Sequence, residues 1–327
     1  MTWLILLEIT AGLLALLCLG LTLEILHIFR AQVPTLPHTR HVGSTAATDS
    51  LVPPIPKIIW TYWHESPAPE FIRQCHHNWR RFAPDHVLHV LNKSTITDWI
   101  DAQLITDKFE HLPPFRQADW LRLHLLAQHG GIWIDASTLL TQNLNWVHAL
   151  QAEQGAEFVG FYIDRFTTRP EQPMVENWFM AALPHSPFVV ALAQEFDLAL
   201  HMGESHYLEK LQATGRFEQA VQGLDSQYQL YLIMHVAASA ILSNAPFQYR
   251  LALVRAEDSA LGFHAALKWR KRHLYARLAL TPCPKILPCI IKLRGGDRRI
   301  FERGWTRRWV LHTSALTRLL SPQEADA

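Results

Sequence analysis

Asp119 and Arg122 stand three apart in Arg116-Gln117-Ala118-Asp119-Trp120-Leu121-Arg122, and Asp135 lies near the end of the octapeptide GGIWIDAS at 130–137. On a helix, residues three apart share a face. Taken alone, that pair is an ordinary surface contact worth under about 1 kcal/mol. Asp135 is less ordinary. It follows Ile132-Trp133-Ile134, a run suited to a buried strand, and precedes the small residues Ala136 and Ser137. A carboxylate there must be solvated, paired or bound to something. Its oxygens suit a hard divalent cation or hydrogen-bond donors. The planar guanidinium of Arg122 suits anionic oxygens.

The elements that must position them can be read from the pattern. Pro114–His129 is expected to be a helix, since Ala118, Leu121, Leu125 and Leu126 recur at helical spacing and Gly130-Gly131 end it. The strand carrying Asp135 follows. Earlier, residues 57–63 (KIIWTYW) read as a strand, 69–84 as a helix bracketed by prolines, and 86–91 as the next strand. Helical pieces are expected at 97–100 and 105–111. Further on, 157–164 reads as a strand, 177–183, 188–200 and 227–242 as helical, and 251–255 as a late strand. Strands alternating with helices through 57–164 predict an α/β domain with a mostly parallel central sheet. Such sheets bind ligands beyond the carboxyl ends of their strands, and Asp135 is at such an end. No P-loop, GxGxxG or internal repeat is present.

Composition sets the outer limits. With 327 residues, 49% of them hydrophobic, the chain can build one sizeable core. Net charge is +1, but Lys268–Arg308 holds thirteen Lys/Arg against only Asp297 and Glu302. Interleaved apolar residues make this basic tail a membrane-surface patch in our reading. The four cysteines have no metal-site spacing and point to a reducing compartment. At the other end, Ile9–Leu23 carries no charge, and adding Trp3–Leu7 brings it to spanning length, about 20 residues. No basic segment precedes it and no small-x-small cleavage site follows, unlike a signal peptide. Arg30 and Arg40 follow it, which puts the bulk of the chain in the cytoplasm. We therefore divide the chain into a membrane anchor (1–30), a proline-rich linker (31–55), a catalytic domain (56–265) and the basic segment (266–327).

The stretch FRQADWLRLHLLAQHGGIWIDAST resembles the core of sugar-nucleotide glycosyltransferases of the DXD type, which have an Asp-x-x-Arg helix, then Tyr-Gly-Gly, then a strand ending in DXD. IPKIIWTYW and the helix ending NWRRFAPD resemble their first strand and helix. The form Gly-Gly, aromatic/aliphatic, Ile-Asp-Ala, with VENWFMAALPHSPFV beyond it, is similar to the capsular polysaccharide synthesis protein family. The resemblance covers roughly 56–200 and fades beyond. It implies a GT-A-like nucleotide-sugar-binding fold and a hexosyltransferase that retains configuration. It places Trp60 or its strand neighbour Tyr62 near the nucleobase, Asp119 and Arg122 at the donor sugar, and Asp135 with Ser137 at the ribose and a Mn2+ or Mg2+ ion. The expected partners are a nucleotide-sugar donor, a glycan or lipid-linked acceptor and the membrane, here a bacterial inner membrane, but not nucleic acid.

One departure from the family pattern matters. The second DXD acid is Ser137, so the motif offers one carboxylate and a hydroxyl. Asp297, Glu302 or His312 could complete a metal site, or Lys292, Arg294, Arg298 and Arg299 could neutralise a diphosphate without metal. Asp225 and Tyr228, three apart, could line an acceptor cleft. Trp133 and Trp178 read as core. Two other functions remain open at this stage: a non-catalytic scaffold subunit of a synthesis complex, motivated by the missing acid, and a sugar-phosphate transferase.

Overall fold

A computed structural model describes residues 2–43, 52–105, 107–244 and 248–321. Nine strands fall within them: β1 (Thr39–Gly43), β2 (Ile58–Tyr62), β3 (Val87–Leu91), β4 (Gly131–Ile134), β5 (Thr138–Leu140), β6 (Phe158–Tyr162), β7 (Val175–Ala182), β8 (Arg250–Arg255) and β9 (Ile290–Lys292). The principal helices are α1 (Thr2–Arg30), α2 (Glu70–Phe82), α3 (Pro114–His129), α4 (Pro187–Met202), α5 (Ile233–Asn244) and α6 (Gly295–Thr306).

Seven strands form one sheet in the order β1-β8-β6-β7-β4-β2-β3, and β5 pairs with β9 in a small second sheet. The α/β class is as expected. The sheet itself is mixed: β2–β3, β2–β4 and β6–β8 run parallel, whereas β1–β8, β4–β7 and β6–β7 run antiparallel. The difference traces largely to 177–183, which is strand β7 and not a helix. Seven of the eight residues of β7 are buried. A strand covered on both faces loses the apolar/polar alternation that would identify it. Wedged between β4 and β6, it brings both antiparallel pairings into the centre of the sheet.

The expected linker also contains structure. β1 lies within it and pairs with β8, while most of the small-residue stretch at 43–50 lies outside the described residues. The basic segment is not an appendage. Together with Phe71, Ile72 and Cys75 of α2 it builds a second apolar core that includes Leu267, Leu278, Phe301 and Leu316. Trp79 of α2 belongs to the main core, so one helix serves both. Asn78 fastens them further: its amide donates to the carbonyls of Leu140 and Leu319 and accepts from Leu140 N–H.

Ile5–Arg30 of α1 is long and apolar enough to cross a membrane, and none of its apolar window is covered by the rest of the protein. Its carboxyl end is fixed. Glu24 pairs with Arg270 and His273, Ala31 and Val33 enter the second core, and Arg277 donates to Ala31 O. All four cysteines are free.

Candidate active site

The turn from α3 into β4 depends on two glycines. Gly130 and Gly131 have φ of +63° and +96°. A Cβ on Gly130 would lie 2.6 Å from Pro184 N, and one on Gly131 2.8 Å from Ile58 O. Only glycine meets both demands. The chain therefore reverses at once, and β4 runs back beside β2 with Asp135 at its carboxyl end, where Asp135 N–H still bonds Trp178 O.

There the three residues singled out in the sequence meet. Arg122 donates to Asp135 Oδ1 at 3.1 Å and to Asn177 O at 2.6 Å, and lies 3.3 Å from Asp119 Oδ1. Asp119 Oδ2 accepts from Arg116 at 2.8 Å, and its Oδ1 accepts from the Asn177 amide at 3.0 Å. Arg116 continues to Leu230 O and Glu204. The i,i+3 pair is thus buried, not a surface contact. Trp133 Nε1 donates to Asp135 Oδ1 at 3.1 Å, and Lys292 Nζ lies 2.6 Å from Asp135 Oδ2. Burial alone would push the Asp135 carboxyl up, but Lys292 and Arg122 outweigh it and hold the group below the ordinary carboxylate range. Asp119 shifts the other way: burial raises it, against the pull of Arg122 and Arg116.

Two adjoining cavities open on this cluster. A larger one of about 480 Å³ is lined by Tyr62, Trp63, Asp119, Arg122, Asp135, Ser137, Lys292, Arg298 and Arg299 among others. A second of about 340 Å³ is lined by Glu176, Trp178, Tyr228, His235, Trp269 and Arg294 among others. Asp135, Asn177, Tyr231, Leu232, Lys292 and Gly295 line both.

Several expected site residues sit elsewhere. Trp60 is fully buried, stacks on His89, and donates its indole N–H to Gly130 O. It stands two residues short of the carboxyl end of β2, so it is core, whereas Tyr62 and Trp63 reach the cavity. Asp297 is buried against His264 at 2.9 Å and Arg294 at 2.8 Å, Glu302 pairs with Arg298, and His312 lines neither cavity. None of these three completes a metal site beside Asp135. Tyr228 lines the smaller cavity; Asp225 does not. Ser137 lines the larger cavity, but its hydroxyl donates to Leu293 O at 2.9 Å. Trp133 and Trp178 are buried as expected, yet Trp133 also holds Asp135 and Trp178 walls the smaller cavity.

Sequence reasoning missed Asn177, which bonds both Asp119 and Arg122, and the buried Glu176–His235 pair at 3.3 Å. All three became legible only once β7 was a strand beside β4.

Residues 43–198 match the family described as capsular polysaccharide synthesis protein. Among characterised relatives, O-glycosyltransferase braB of Annulohypoxylon truncatum is 29% identical over 150 residues, a match covering 41% of this chain and 35% of that protein. The chain thus spans about a third of that relative's length. Among solved structures, PaToxG Glycosyltransferase is 17% identical over 57% of this chain and 78% of that one, with a TM-score of 0.33, too loose a likeness to carry an argument.

Proposed function

From the match of residues 43–198 to the capsular polysaccharide synthesis protein family, we propose that the protein is a glycosyltransferase. It takes a sugar from a nucleoside-diphosphate donor and passes it to a glycan or lipid-linked acceptor in capsular or cell-surface polysaccharide synthesis. The supporting observation is the Asp119–Arg122–Asp135 network at a strand's carboxyl end, open to two joined cavities. The larger cavity takes the donor. Tyr62 and Trp63 offer aromatic surface to the nucleobase, and Arg298, Arg299 and Lys292 offer charge to the diphosphate. The smaller takes the acceptor, with Tyr228 and Trp269 as sugar-facing rings.

The chemistry asked of these residues is mainly electrostatic. When the bond between the sugar's anomeric carbon and the diphosphate breaks, negative charge grows on the leaving phosphate. Fixed cations in a poorly hydrated site stabilise it. Asp119 and Asn177 orient Arg122, and Asp135 orients Lys292. The acceptor oxygen forms the new bond to the same carbon, and its proton passes to the leaving phosphate. That front-face course keeps the anomeric configuration; nuclear magnetic resonance of the product anomer would reject it on finding inversion.

We further propose that α1 is a single-pass anchor with the remainder on the cytoplasmic side, and that the basic 266–327 segment lies along the membrane surface. Glu24 pairing with Arg270 and His273 brings that segment to the helix. The test of function is transfer from a panel of UDP- and GDP-sugars, scored by the nucleotide released. A nucleoside monophosphate would mean sugar-phosphate transfer. No release from any donor would leave a scaffold role.

A further inference from the structure

Resting on that donor-site reading, we propose that Lys292 takes the place of a divalent cation at the donor diphosphate, making this a metal-free site. An ion bound through a diphosphate takes one or two carboxylates from the protein, with phosphate oxygens and water completing its shell. Among the described residues no group of three or more His, Cys, Asp or Glu is placed to hold one. Both oxygens of Asp135 are already taken, Oδ2 by Lys292 at 2.6 Å and Oδ1 by Arg122 and Trp133 at 3.1 Å each. Both oxygens of Asp119 are likewise bonded. An ion at Asp135 would have to displace an ammonium held at close range.

Ser137 and Lys292 form one device. Strand β5 pairs with β9 so that Thr138 faces Lys292, and Ser137 Oγ donates to Leu293 O at 2.9 Å. A carboxylate at position 137 has no proton to donate there and would oppose the Leu293 carbonyl. The serine therefore ties down the strand that delivers the lysine. The Lys292 ammonium has three donors. One goes to Asp135, and the group lines both cavities. Its side chain is only 9% exposed, so it is a fixed charge and not a solvated one.

The surrounding charge fits a diphosphate. Arg122, Lys292, Arg298 and Arg299 line the larger cavity against Asp119 and Asp135, four cations to two carboxylates. Arg298 also pairs with Glu302, so the lining keeps a net positive charge of the sign that a nucleoside diphosphate ester requires. Arg298 and Arg299 stand in the first turns of α6, whose amino end adds partial positive charge on the same side.

The experiment is calorimetric titration of the full chain in detergent with UDP and with GDP, in EDTA and in Mn2+. Wild type is expected to bind one of them with affinities in the two conditions within about twofold. Lys292→Met is expected to weaken binding in EDTA by about tenfold or more, as for loss of a charge-assisted bond, and Lys292→Arg to recover most of it. Thermal unfolding of each variant confirms that it is folded. Binding that EDTA abolishes and Mn2+ restores in wild type overturns the proposal while leaving the donor site intact. Unchanged affinity in folded Lys292→Met also overturns it. Failure to bind either nucleotide in both conditions removes the donor-site reading and this inference with it.

Discussion

At the scale of single residues, the site is a chain of buried charges, each fixed by the next. Asp119 is held by Arg116, Arg122 and Asn177. Removing it leaves two buried guanidiniums short of a partner. Asp119→Ala is therefore expected to destabilise the fold by about 3–5 kcal/mol, read as a lower urea midpoint. Trp60→Phe provides the contrast. It loses the indole bond to Gly130 O, at a cost of about 1 kcal/mol, with donor affinity unchanged. A large loss of nucleotide binding in that variant would return Trp60 to the site. Spacing alone left Asp119 and Arg122 an ordinary surface pair; the resemblance to DXD-type glycosyltransferases singled them out with Asp135, and the two-glycine turn between helix and strand is what lets the three meet. Asn177 was not legible, because its partners lie 58 and 55 residues away in sequence. The lysine was legible as a candidate cation, but its partner was not, since 157 residues separate it from Asp135.

Elements carry the geometry through their ends. Helix α3 was read with its observed bounds because proline opens it and glycine closes it. Strands β5 and β9 and the strand character of β7 went unread: short or fully buried strands leave no alternation to detect. The α3–β4 turn is the element on which the site depends most. Gly131→Ala puts a Cβ 2.8 Å from Ile58 O at a φ of +96°. We expect at least about 2 kcal/mol of destabilisation, measured by thermal or urea unfolding. Near-wild-type stability would mean that the β2–β4 pairing tolerates displacement. Ser137→Asp tests the β5–β9 tie. It should lower stability without introducing a response to Mn2+, because the new carboxylate faces a carbonyl.

On the scale of the molecule, two apolar cores share α2, and Asp135 lies between Ile134 of one and Ala136 of the other. Asp119, Arg122 and Asp135 come from the segment that matches the family model, and Lys292, Arg298 and Arg299 from the packing of the C-terminal segment against it. Composition exposed the basic segment but not its place, since charge density says nothing about which cations fold inward. Helix α1 adds an uncovered apolar surface fixed to this second core at Ala31 and Val33. A chain lacking residues 2–23 keeps Glu24, Ala31 and Val33, so it should stay folded and leave the membrane fraction. If it still floats with anionic liposomes, the basic segment is a second attachment; if it floats equally with neutral ones, apolar surface other than α1 is responsible.

The central claim is that Asp135 and its cations face a nucleotide-sugar whose diphosphate leaves. It is tested most directly by incubating the full chain with a panel of UDP- and GDP-sugars and identifying the nucleotide released. The account predicts a nucleoside diphosphate from one donor, with Asp135→Asn slower by about a hundredfold through loss of positioning. Release of a monophosphate, or no release from any donor by folded protein, would contradict it.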